Sequence, residues 1–133
     1  MEPLEINIPL KSSVFPPNHS QLKIKRTTLF IAPEGGNSKE VNVLLKFMPD
    51  GSTAQMDGGV IRSQEGLISK LKGNGDGWDI FMNKVPYGIW NLKLRDENDV
   101  NSFSEVKQLL KDQKIKDILL MITYQGKAPA WNI

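Results

Sequence analysis

Apolar and polar positions alternate with a period of two along most of the chain, the pattern of strands with one buried face. Leu4, Ile6, Ile8 and Leu10 alternate with Glu5, Asn7 and Pro9 and predict a first strand. Pro9 cannot donate to a ladder, which places that strand at a sheet edge or near its own end. Residues 11–20 read as loop, punctuated by Ser12, Ser13, Pro16, Pro17 and Asn18. In 21–31 the phase changes: Leu22 and Ile24 have one parity, Leu29 and Ile31 the other. Either a one-residue bulge near Arg26–Thr28 or a break into two short strands accounts for it. Val41, Val43, Leu45 and Phe47 predict the next strand, closed by a Pro-Asp-Gly turn at 49–51.

The middle of the chain is less regular. Residues 51–66 are polar and glycine-bearing, with Val60 and Ile61 marking one strand. Residues 66–72 fit a helical turn or a strand entry, and 73–77 (GNGDG) a loop. Trp78, Ile80 and Met82 alternate with Asp79 and Asn83, predicting a strand over 78–83. Trp90, Leu92 and Leu94 alternate cleanly with Asn91, Lys93 and Arg95 after the Pro86–Gly88 turn. The period then switches. Phe103, Val106, Leu109 and Leu110 recur at helical spacing, and Ser102 or Ser104 suits the helix start.

The most apolar stretch is IKDILLMITYQG at 115–126. Ile118, Leu120, Ile122 and Tyr124 share one face, and Leu119 and Met121 the other. Apolar character on both faces predicts a strand running between two layers. Together these patterns predict an all-β, jelly-roll-like antiparallel β-sandwich of roughly six to eight strands. It forms a single domain over 1–133, with one short amphipathic helix near 102–113. A doubly wound parallel fold requires a helix between most strands, and those are missing.

Composition narrows the chemistry. The 133 residues include 39% hydrophobic side chains, enough for a true core. Absence of cysteine excludes disulfides, thiolate metal sites and cysteine nucleophiles. With 17 basic and 15 acidic residues the net charge is +2, too balanced to predict a nucleic-acid partner. No apolar run approaches the roughly 20 residues of a membrane span. The opening MEPLEINIPL lacks the basic-then-apolar order of a signal peptide.

Candidate sites are few. Asn74, Asp76 and Asp79 fall close together in a glycine loop, as oxygen ligands for calcium do. The closing glutamate of an EF-hand is absent, so a bare turn competes with a calcium site and no cofactor is assigned. Arg95, Asp96, Glu97 and Asp99 form a charged loop that reads as solvated, with no opposing carboxylate cluster for acid–base catalysis. The sole histidine, His19, lies in a PPNHS loop without a nucleophile motif, so no enzyme is expected. Lys23, Lys25 and Arg26 make a small basic cluster on a strand. Trp78 and Trp90 share parity with core positions. Trp131, in the proline-marked tail 127–133, is expected at the surface as a contact anchor, together with Pro17, Asn18 and His19.

PYGIWNLKLRD at 86–96, then a helix or loop, then IKDILLMITYQG at 115–126 resemble the C-terminal part of the A subunits of Tc-type insecticidal toxin complexes. Ile115, Asp117, Ile118, Leu119, Leu120, Ile122 and Tyr124 match that family's final strand position by position. The opening strands at 4–31 are similar more loosely. The run Gly88, Trp90, Leu92 also resembles a strand in the P-domain of subtilisin-like convertases. The toxin resemblance implies a non-enzymatic protein-binding and assembly module. Its partner is a toxin B-type subunit or another copy of the chain, in a bacterial cytoplasm or released within a larger toxin assembly. A carbohydrate-binding sandwich, calcium-assisted and contacting a glycan, is the alternative reading.

Overall fold

A computed structural model describes residues 5–35 and 39–127. The expected tail contact, Trp131, lies outside the described residues. Within them the chain forms two antiparallel sheets and one short helix, the β-sandwich that the alternation predicts. In chain order the strands are β1 (Glu5–Leu10), β2 (Ser20–Pro33), β3 (Asn42–Pro49), β4 (Met56–Arg62), β5 (Leu67–Ile68), β6 (Gly88–Arg95) and β7 (Ile115–Lys127). Helix α1 (Ser104–Lys111) joins β6 to β7. One sheet has the order β1-β6-β3-β4, the other β5-β2-β7.

The core lies between the sheets, where the period-two positions meet. Val43, Leu45 and Phe47 of β3, Trp90, Leu92 and Leu94 of β6, and Ile24, Leu29 and Ile31 of β2 are buried. Trp90 stacks on Phe47 at 3.9 Å and meets Phe81 edge-on at 5.3 Å. Such aromatic pairs contribute about 0.5–1.5 kcal/mol beyond their buried area. The Trp90 indole N–H donates to the Pro86 carbonyl at 3.3 Å, so its polar atom is satisfied inside the core.

β1 is an edge strand, in keeping with Pro9. β2 is continuous, and its change of phase is a bulge: Ile24 opposes Tyr124, but Arg26 opposes Thr123. The inserted residue keeps Ile24, Thr27, Leu29 and Ile31 all on the buried face. At the bulge β2 also exchanges backbone hydrogen bonds with 83–84: the Ile24 N–H donates to Lys84 O and the Asn83 N–H to Ile24 O.

Two expectations fail. Residues 78–83 are not a strand; Asp76–Phe81 is a 3-10 helix. At that spacing Trp78 and Phe81, three apart, turn inward while Ile80 is half exposed. Trp78 lies against Gly58 of β4, where a Cβ would come within 2.7 Å of the indole. Tertiary packing therefore overrides the local alternation. The second failure concerns β7, which lies at a sheet edge rather than centrally between layers. Its inner row, Ile118, Leu120 and Ile122, is half-buried, and the outer Leu119 and Met121 are 45% and 47% exposed.

Candidate functional site

Asp96, in the loop read as solvated, is only 4% exposed. Its carboxylate accepts from Ser102 Oγ at 2.6 Å, Ser104 Oγ at 3.4 Å and the Val106 N–H at 3.0 Å. Burial pushes this carboxyl up. The Ser102 hydroxyl, the Val106 and Glu105 N–H groups and the Ser104 hydroxyl outweigh it and hold the group below the usual carboxylate range. The N-cap residue of α1 is Phe103, which makes no side-chain cap. Ser102 Oγ accepts the Ser104 N–H at a long 3.4 Å, and both serines donate to Asp96, which takes the Val106 N–H, an orphan helix donor, from outside. The site is structural: it fixes α1 to the end of β6 and so sets where β7 begins.

The glycine loop is likewise knitted from within. Asn74 Oδ1 accepts from the Ser69 N–H at 3.0 Å, and Nδ2 donates to Leu67 O at 2.8 Å and Arg62 O at 3.2 Å. Asp79 and Asp76 hold the Lys70 ammonium at 2.7 and 3.2 Å. These bonds, Asp79 first, raise the Lys70 pKa. The position between the two carboxylates, where a cation would sit, is thus occupied by the chain's own ammonium. Among the described residues no three His, Asp or Glu side chains gather as a metal-ligand set.

Pro17, Asn18 and His19 are exposed on the loop between β1 and β2. The loop is anchored by Phe15, its buried residue, which meets Tyr124 of β7 edge-on at 4.8 Å and Tyr87 at 6.1 Å. Next to this anchor is a cleft of about 390 Å³, lined by Phe15, Pro16, Pro17, His19, Leu22 and Tyr87 among others. The structure brings Pro17 and His19 to one cleft and leaves Asn18 exposed between them.

An exposed apolar feature lies on the outer face of the β5-β2-β7 sheet, where Leu119 and Met121 stand open to solvent. Leu67, Phe30 and Leu119 form one cross-strand row, and Thr28 and Met121 the next. Among the described residues no strand pairs with the outer edge of β7, and this face runs out to that edge. The Ile31 N–H donates to Gly66 O on the β5 side, so its partner Ile118 turns its own groups away from β2. The Ile118 N–H instead bonds its neighbour's carboxylate, Asp117 Oδ1, at 2.8 Å. By alternation Leu120, Ile122, Tyr124 and Gly126 also aim their backbone groups outward. From 118 to 124 the edge carries neither charge nor proline, and natural edges normally carry such protection. The two-faced apolar pattern of 115–126 is the signal for this surface; period alone does not separate a central strand from an exposed one.

No helix among the described residues is long and apolar enough to cross a membrane. Comparison with known protein families, with curated proteins and with solved structures gives no match.

Proposed function

We propose that this chain is a non-enzymatic protein-binding and assembly module, similar in role to the terminal, partner-contacting region of a Tc toxin A subunit. The observation that supports this most is the free edge of β7, long, aliphatic and beside an exposed apolar face. Such an edge accepts an added strand: main-chain hydrogen bonds supply affinity, and alternate side chains supply specificity. Pro17 and His19, next to the Tyr87 cleft, form a second contact on the loop that Phe15 ties to β7.

Size-exclusion chromatography of the purified chain, alone and with a B-type toxin subunit, tests the reading. Co-elution with that subunit, or concentration-dependent self-association, is expected. A chain that elutes as a monomer at every concentration and ignores the B-type subunit refutes it.

A further inference from the structure

The proposal that follows rests on the assembly reading and names the occupant of the β7 edge. In a symmetric dimer built through this edge, a two-fold axis normal to the sheet keeps inner face on inner face. Directly opposed residues then have the same parity. The groups free to bond across the junction belong to Ile118, Leu120, Ile122, Tyr124 and Gly126, all of one parity, so every such register forms hydrogen-bonded pairs. Both register shifts between Ser20 and Arg26 place the extra residue on β2, leaving β7 regular through this stretch.

One register also satisfies the charges. Centred on Ile122, it sets Ile122 against its symmetry mate, Leu120 against Tyr124 and Ile118 against Gly126. On the outer face it sets Met121 against Thr123, Leu119 against Gln125, and Asp117 against Lys127. The acidic residue at one end of the free edge thus meets the basic residue at the other, and symmetry makes the pair twice. Shifting the centre to Leu120 or Met121 opposes Asp117 to the neutral Thr123 or Gln125, so neither register gives it a basic partner. We propose that β7 pairs antiparallel with β7 of a second copy in the register centred on Ile122, joining two three-stranded sheets into one.

The Asp117 carboxylate has a defined part in this. In the single chain it occupies the Ile118 N–H. On association it turns to Lys127 of the second copy and frees that N–H for the Gly126 carbonyl opposite. The half-buried row of Ile118, Leu120 and Ile122 gains neighbours beyond the edge. Their incomplete burial in one chain is the exposure that the second strand removes.

Sedimentation velocity over a concentration series, on the full chain, tests this with two charge reversals and their combination. Wild type is expected to dimerise reversibly. D117K and K127D each place like charges opposite one another at both ends, weakening association on the order of tenfold or more. The D117K/K127D double variant restores opposite charges and is expected to recover wild-type association, which also controls for folding. A wild type that stays monomeric, or a double variant as weak as the singles, overturns the proposal. A monomer that still co-elutes with a B-type subunit overturns only this inference; loss of both kinds of binding removes the assembly reading too.

Discussion

Replacing Asp96 should destabilise the fold far more than its position in a charged loop suggests. Asp96→Ala deletes the acceptor of two well-formed bonds, from Ser102 Oγ at 2.6 Å and the Val106 N–H at 3.0 Å. Bonds to an ionised acceptor contribute about 1.5–3 kcal/mol each. Ser102 is half-buried and can turn to Ser104 at 3.2 Å, so the lower end of that range applies. Loss of negative charge at the start of α1 costs about 0.3–1 kcal/mol more. The sum is about 3–4 kcal/mol, a fall in melting temperature of roughly 10–15 °C for a domain this size. Asp96→Asn keeps an acceptor for Val106 but loses the charge, at about 1–2 kcal/mol. The pH dependence carries its own sign. A carboxyl held below its ordinary value in the folded state gives full stabilisation above about pH 4. That stabilisation is lost as pH falls through the folded-state value. Urea unfolding at pH 7 and at steps down to pH 3 should therefore show a steeper acid loss in wild type than in Asp96→Asn. An Asp96→Ala protein melting within 3 °C of wild type, or parallel pH curves for wild type and Asp96→Asn, would refute the argument.

Two further outcomes follow from the packing and the loop. Trp90→Ala, which removes the ring stacked on Phe47 and edge-on to Phe81, should cost about 3–5 kcal/mol in chemical denaturation; a loss under 1 kcal/mol would show that the aromatic cluster is not the centre of the core. Adding millimolar calcium should leave the melting temperature of wild type unchanged, because the Lys70 ammonium already bridges Asp76 and Asp79 where the ion would sit. A calcium-dependent rise, as ligand linkage requires of a binding site, would reinstate the loop as a calcium site.

The strands were legible where one face is buried and the other wet. Val43, Leu45 and Phe47, and Trp90, Leu92 and Leu94, announced themselves by parity, and both rows are interior. The bulge in β2 was legible for the same reason: a strand that changes phase must insert a residue or end. The stretch 78–83 misled because three apolar residues at alternate positions are only a local signal. The space beside Gly58, which decides where Trp78 goes, is set by a strand twenty residues away. For Asp96 the cue was weaker: two serines flank the start of a helical period whose N-cap position holds phenylalanine. An external acceptor resolves that mismatch, but sequence does not say which carboxylate supplies it. Pro17 and His19 were foreseen as surface residues; the cleft beside them depends on Phe15 and Tyr87 meeting from distant parts of the chain.

The opposite border of the same sheet is very different from β7. It is formed by β5, only Leu67 and Ile68, between the tight turn at Gly66 and the chain's departure toward Lys70. Two residues offer too short a template for another strand. Among the described residues β7 is therefore the one long border of this sheet, and a junction through it would use up that template. If β7 pairs as proposed, assembly by this route would end at a closed pair rather than propagate into a fibril, although the aliphatic stretch involved is of the kind that seeds one when both borders are open.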